Sequence, residues 1–190
     1  MKVVAFNGSA RKDGNTAALI QHACAAIEAD GVETEMIQLA GMRIHGCTAC
    51  YKCVENKDSR CVVDDDVNGC IAKMAEADGI ILGSPTYFSD VTAEMKALID
   101  RAGFVCRASG GLLRRKVGAA VVAVRRGGAM HAFDTLNHFF LISEMVVPGS
   151  TYWNIAFGAN KGDVESDAEG VETVQTLGRN IAWLLKKLNA

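Results

Sequence analysis

Apolar, β-rich runs alternate along the chain with stretches whose apolar residues recur at helical spacing. Strand patterns cover Lys2–Asn7, Thr34–Gln38, Gly79–Gly83, Val117–Val124 and Val146–Tyr152. Helical patterns cover Asn15–Ala29, Asn68–Ala77, Ala93–Cys106, Ala129–Met145 and Ala168–Lys187. The run Val117–Val124 is apolar without alternation, as expected of a strand buried on both faces of a parallel sheet. In the last helical stretch Val171, Val174, Leu177, Ile181, Leu184 and Leu185 form one stripe, which must pack on a neighbouring layer. Five βα repeats predict a doubly wound parallel sheet whose right-handed crossovers place helices on both faces.

Five strands favour a flavodoxin-like three-layer α/β sandwich of order 2-1-3-4-5 over a six-stranded dinucleotide-binding sheet. A length of 190 residues suits one domain, residues 1–190, with a sizeable core. Its long irregular segment is the cysteine-rich loop 40–67, and ordered loops of that length are usually functional. With 49% hydrophobic residues and only two prolines, extended disorder is not expected. The formal charge of −2 is interspersed along the chain and offers no basic face for a nucleic acid. No apolar run is long enough to span a bilayer, and the chain begins directly with a strand pattern in place of an export signal. Those features predict a cytoplasmic protein whose thiols are kept reduced. The seven cysteines, an odd number, also argue against a closed disulfide framework.

Four of them crowd into the long loop. Cys47, Cys50 and Cys53 are each separated by two residues, and seven more precede Cys61. Cysteines that serve as apolar filler have no need of such spacing, whereas thiolates sharing one metal centre do. The first three resemble the Cys-x2-Cys-x2-Cys run of bacterial ferredoxins, and a more distant cysteine can complete the four ligands of a cubane. Lys52, Lys57, Arg60 and His45 lie in the same segment and can offset the negative charge of such a cluster. Zinc is the rival, although its ligands more usually come as two separated pairs. A thiol or disulfide pair without metal is the other.

The first βα turn reads Asn7-Gly8-Ser9-Ala10-Arg11-Lys12-Asp13-Gly14-Asn15-Thr16 and runs straight into a helix. Free amides at a helix N-terminus attract an anion, and the Ser9 and Thr16 hydroxyls and the Arg11 guanidinium can add bonds to phosphate. Neither a Gly-x-Gly-x-x-Gly fingerprint nor a Gly-Lys-Ser/Thr ending is present, so the loop fits neither a dinucleotide nor an ATPase pattern. In a 2-1-3-4-5 sheet ligands sit beyond the strand carboxyl ends, where strand order reverses. The loop after the third strand, Gly83–Asp90, offers an aromatic wall, and Arg125-Arg126-Gly127-Gly128 after the fourth offers a cationic edge. A phosphate seat, a wall and a cationic edge suit a mononucleotide with a planar ring, FMN first among them. Core packing of Tyr87 and Phe88 and a solvated Arg125–Arg126 pair are the plainer readings.

The loop Gly8–Thr16, the segment Ser84-Pro85-Thr86-Tyr87-Phe88 and the stretch Met95–Arg101 resemble the NADPH-dependent FMN reductase superfamily. With Cys47, Cys50, Cys53 and Cys61 after the second strand, the chain is most similar to its iron–sulfur flavoprotein branch. The resemblance implies an FMN phosphate held by Ser9, Arg11, Asn15 and Thr16. It implies an isoalloxazine ring held by Pro85, Thr86, Tyr87 and Phe88, with Arg125, Gly127 and Gly128 on the pyrimidine side. It also implies a [4Fe–4S] cluster on the four cysteines and a homodimer or homotetramer with flavin sites near subunit interfaces. The spacing before Cys61 lies at the loose end of the branch's pattern.

Cys24, Cys70 and Cys106 fall in helical patterns and read as buried thiols. Asp64-Asp65-Asp66, just before a helix, reads as a capping and dipole device. His131 and His138 read as a packing or subunit face. No side chain stands out as a catalytic acid or base. The expected function is an FMN-dependent oxidoreductase, with NAD(P)H as a possible donor and a cluster beside the flavin exchanging single electrons with it. The rivals are an NAD(P)H-dependent FMN or quinone reductase without a cluster, a pure electron carrier, and a zinc- or thiol-based redox-sensing module.

Overall fold

The structure, a computed structural model, describes residues 1–189. Five parallel strands, β1 (Lys2–Asn7), β2 (Glu33–Gln38), β3 (Gly79–Pro85), β4 (Val117–Val124) and β5 (Ile155–Phe157), form one sheet of order β2-β1-β3-β4-β5. The helices are α1 (Asn15–Ala29), α2 (Lys52–Asn56), α3 (Val67–Glu76), α4 (Ala93–Ala108), α5 (Ala129–Ile142) and α6 (Ala168–Leu188), with a 3-10 turn at Asp163–Ser166. The predicted order is the one observed.

Strand alternation decides which layer each side chain joins. Val4 and Phe6 of β1, Ile80 and Leu82 of β3 and Val122 of β4 pack with Ile71, Leu98, Leu136 and Phe140 of α3, α4 and α5. Val3 and Ala5, Ile81 and Val121 pack on the other face with Ile20 and Ile27 of α1 and Leu177, Ile181 and Leu185 of α6. All eight residues of β4 are buried, as its unbroken apolar run requires. Each large side chain fully buried here contributes about 1.5–3 kcal/mol. On α6, Gly178 lets the two helices approach closely, since a Cβ there would lie 2.4 Å from the Ala23 carbonyl oxygen of α1.

Two helix starts tie the layers to the strand ends. Thr92 caps α4 by accepting from the Met95 amide at 3.3 Å while its hydroxyl donates to the Gly8 carbonyl at 2.8 Å. Asp167 caps α6 through the Gly170 amide at 3.0 Å and accepts the Phe157 amide at 2.7 Å.

The last strand is the main departure from the sequence pattern. Val146 makes only an isolated parallel bridge to Val117, and the sheet edge is instead β5, at Ile155–Phe157. Pro148 has no amide for a ladder, so the run Val146-Val147 stops there. The chain leaves the edge and returns after Asn154, which donates to the Ala120 carbonyl at 3.0 Å.

Candidate functional site

The loops after β1, β3 and β4 meet at the carboxyl ends of their strands. The Gly8 amide donates to the Gly83 carbonyl at 2.8 Å, which joins the first loop to the end of β3. The Thr86 amide continues the β3–β4 ladder by donating to the Ala123 carbonyl at 3.1 Å. Gly128, at φ +84°, touches Ser89 so closely that a Cβ would lie 3.1 Å from the Ser89 Cα, so only glycine fits both the turn and the contact.

In the first loop Ser9 is buried, and its hydroxyl accepts from the Arg11 amide at 3.1 Å. Gln38 at the end of β2 fixes the loop by donating to the Ser9 carbonyl at 2.7 Å. Helix α1 starts after Gly14 with no side-chain cap, and the amides of Asn15, Thr16 and Ala17 have no acceptor among the described residues. An uncapped helix N-terminus beside an exposed Arg11 is the arrangement that receives a phosphate. Thr16 is buried with its methyl toward Gly83. The Asn15 side chain is engaged elsewhere, donating to the Asn160 carbonyl at 2.8 Å and accepting the Gly162 amide at 2.9 Å. Its backbone amide, not its side chain, is therefore free for an anion.

The loop after β3 is a tight turn. Tyr87 and Asp90 exchange amide–carbonyl bonds of 2.8 and 3.0 Å, and Phe88 and Ser89 between them take φ of +49° and +63°. Both central residues are left-handed, a conformation that costs a non-glycine residue about 1–2 kcal/mol. Pro85 and Thr86 are half-buried at the base, Tyr87 is about half exposed and Phe88 is fully exposed, so neither aromatic is core filler. Arg125, Arg126 and Gly127 are exposed beside this turn's partner loop. Arg126 also lines a cavity of about 350 Å³ with Tyr152, Trp153 and Phe157 on the β5 side.

The cysteines make up a second candidate site. Cys47, Cys50, Cys53 and Cys61 line one pocket together with Tyr51, Arg101 and Phe104. Ala49, Tyr51, Lys57 and Ser59 of this loop, all non-glycine, take left-handed conformations. Backbone strain concentrated in one segment marks a functional constraint. The Lys52 amide and the Thr48 side chain pull the Cys50 thiol below its usual pKa, whereas burial pushes that of Cys53 up. Among the described residues no three His, Cys, Asp or Glu side chains cluster closely enough to hold a single metal ion. The fit to a metal centre rests instead on the shared pocket and on four thiol donors, the ligands that iron–sulfur clusters take.

Behind this pocket lies a pair that the sequence pattern did not single out. Arg101 of α4 and Asp65 have side chains 0% and 1% exposed and make a two-oxygen contact of 2.6 and 2.7 Å. Asp65 is therefore a buried counter-ion as well as a capping group, its Oδ1 accepting the Val67 amide at the start of α3 at 3.2 Å, while Asp66 accepts the Arg43 amide at 2.7 Å. Burial alone would raise the Asp65 pKa, but the Arg101 guanidinium and the His45 amide bring it down to about 2. A lone arginine inside an amphipathic helix carries no local sign of its partner, which is why the pair stayed hidden.

Helix α4 runs from the strand-end loops to the cysteine pocket. Thr92 bonds the first loop, while Arg101, Phe104 and Val105 line the cysteine pocket farther down the same helix. At a helical rise of 1.5 Å per residue, Thr92 and these pocket residues are about 14–20 Å apart along α4. Cys24, Cys70 and Cys106 are buried elsewhere, and burial pushes each thiol up to about 11, as inert thiols require. His131 stands 3.6 Å from Asp90, and His138 lines a groove between α4 and α5.

Residues 1–160 match the family model of the NADPH-dependent FMN reductases. The chain is similar to an iron–sulfur flavoprotein of Methanocaldococcus jannaschii, with 41% identity covering 98% of each chain. It is also similar to an iron–sulfur flavoprotein of Methanosarcina thermophila, with 32% identity over 98% of this chain and 96% of that one. Among solved structures, RosB with a bound 8-demethyl-8-formylriboflavin-5'-phosphate intermediate superposes with a TM-score of 0.78 at 19% identity, covering 100% of this chain and 80% of that one. A flavodoxin from the Archaea superposes at 0.65 and 19% identity, covering 98% of this chain and 99% of that one. No helix among the described residues is long and apolar enough to cross a membrane.

Proposed function

The chain belongs to the NADPH-dependent FMN reductase family, and from that premise we propose an FMN-dependent oxidoreductase that also carries a [4Fe–4S] cluster on Cys47, Cys50, Cys53 and Cys61. The observation that carries the flavin half is the junction of an uncapped α1 N-terminus with the exposed aromatic turn and the Arg125–Gly128 loop. Four thiols on one pocket, together with relatives named iron–sulfur flavoproteins, support the cluster over zinc.

In this reading the amides of Asn15, Thr16 and Ala17, the Ser9 loop and Arg11 hold the phosphate. Thr86, Tyr87 and Phe88 wall one side of the ring and exclude water, and Pro85 fixes their base. Gly127 and Gly128 allow close backbone approach at the ring edge, where Arg125 and Arg126 favour the negative charge gained on reduction. FMN, when bound, supplies the conversion between two-electron and one-electron chemistry, and an iron–sulfur cluster supplies one-electron storage. No protein side chain is required as acid or base. NAD(P)H is the proposed donor, for which the chain carries no dinucleotide fingerprint of its own.

A homodimer or homotetramer completes the proposal. It is supported by a groove of about 740 Å³ between α4 and α5, lined by Ile99, Phe104, His138, Phe139 and Ile142, with Leu141 and Ile142 exposed. Such apolar exposure commonly marks an interface.

Anaerobically purified protein is expected to be yellow-brown, with FMN absorbance and a dithionite-bleachable shoulder, and to contain iron and acid-labile sulfide. Colourless protein that takes up no FMN would sink the assignment. FMN without iron would leave a plain reductase, and FMN with iron but no NAD(P)H turnover a pure electron carrier. Arg11→Ala is expected to weaken FMN binding about tenfold or more, since a hydrogen bond to a charged group is worth about 1.5–3 kcal/mol. Fluorescence titration with FMN and with riboflavin checks it: the loss should appear for FMN and not for the phosphate-free flavin.

A further inference from the structure

We propose that Arg101 is the positioning residue of the cysteine centre, tying the two ends of the cysteine loop together and donating a hydrogen bond to the cluster-bound sulfur of Cys61. The inference rests on the cluster reading above. Arg101 reaches across the loop from α4: one terminal nitrogen donates to the His45 carbonyl at 3.1 Å, the other to the Val63 carbonyl at 3.0 Å. Those two carbonyls bracket the segment that holds all four thiols. Asp65 grips the same guanidinium through both its oxygens and also accepts the His45 amide at 2.9 Å, so loop, aspartate and arginine form one closed network.

That network uses only part of the donor set. The terminal nitrogens are bonded to oxygens, but the buried Nε has no partner among the described residues. A buried N–H left without an acceptor costs about 1–3 kcal/mol and calls for an explanation. Arg101 lines the pocket that the four sulfurs share, and sulfur is the acceptor class the pocket provides. Cys61 is the thiol that interacts with this guanidinium, which stays a cation at every working pH.

A fixed cation and N–H donor behind a thiolate-ligated cluster stabilise its more negative, reduced form, because hydrogen bonds to the sulfurs and local charge set the potential. Lysine at this position keeps the charge opposite Asp65 but lacks the planar fork and the Nε–H. It is therefore a variant that can fold while losing the proposed contact.

The test compares wild-type protein with Arg101→Lys by EPR-monitored redox titration of the anaerobic holoprotein and by hydrogen exchange of residues 40–67. The expected result for Arg101→Lys is a cluster potential shifted to a more negative value with the FMN potential unmoved, together with faster exchange across the cysteine loop. A cluster potential and EPR spectrum identical to wild type would overturn the donor role. Unchanged loop exchange would overturn the clamping role. Wild-type protein free of iron would overturn the cluster reading and the donor role with it, while the exchange measurement still decides the clamp. If Arg101→Lys fails to fold, Asp65→Asn leaves the guanidinium in place with a neutral partner. It should retain a potential nearer to wild type than any Arg101 replacement recovered with cluster; a cluster lost or shifted to the negative side by Asp65→Asn would count against the donor role.

Discussion

Replacing Cys53 by serine is expected to strip the protein of its iron while FMN remains bound at the parental stoichiometry. Cys53 and Cys61 are the two cluster-pocket thiols that pack against the core between the sheet and α3–α5, so they anchor the pocket to the rest of the fold. A serine oxygen is a poor replacement for a soft thiolate at an iron–sulfur centre. The loop is also held in an unfavourable backbone conformation at Ala49, Tyr51, Lys57 and Ser59, at roughly 1–2 kcal/mol per left-handed residue. A centre bound as proposed would offset that strain, because metal binding and local folding are linked. Iron and sulfide analysis alongside flavin absorbance measures both halves. Full iron in Cys53→Ser would show that this thiol is not a ligand. Loss of FMN together with iron would show that the two centres are coupled.

The second large effect concerns stability. Asp65→Ala is expected to destabilise the protein by about 3–5 kcal/mol, the scale for removing one partner of a buried ion pair and leaving the other charge uncompensated. The Arg101 side chain is wholly buried and has no second carboxylate to turn to among the described residues. Replacing both partners, as in Asp65→Leu with Arg101→Met, is expected to cost much less than the single change, because it leaves no buried charge. Urea unfolding of the singles and the double variant as a mutant cycle checks the claim; additive losses would refute it.

The same pair sets an acid limit. The Asp65 pKa falls from 3.8 in its reference state to about 2 in the folded protein. Its contribution is therefore complete above the unfolded value and is lost as pH falls through the folded one. The linkage is on the order of 2 kcal/mol, disappearing between about pH 4 and pH 2. Asp65→Asn should flatten the stability profile in that window, and an unchanged acid limb would locate the acid sensitivity in other carboxylates.

The two centres differed in how openly the sequence announced them. The loops after β1, β3 and β4 were legible because strand–turn–helix transitions carry local signs: an apolar run, glycines, then helical spacing. Their position at the switch point follows from the sheet order. What the sequence could not tell was which polar groups were free. The family resemblance implies Asn15 as a phosphate ligand, yet its side chain holds the Asn160–Gly162 segment, far along the chain. Core packing was the plainer reading of Tyr87 and Phe88, and the turn places them in solvent instead.

The sequence by itself determined the order of elements, the two faces of the sheet and the grouping of Cys47, Cys50, Cys53 and Cys61. Those properties depend on periodicity and spacing within short windows, where covalent connectivity does most of the positioning. The tertiary structure alone decided the edge strand at Ile155–Phe157 and the Asp65–Arg101 pair behind the cysteine pocket. Each of these depends on contacts between segments distant in sequence, many of them to backbone carbonyls that every residue possesses, and such contacts leave no residue pattern to read.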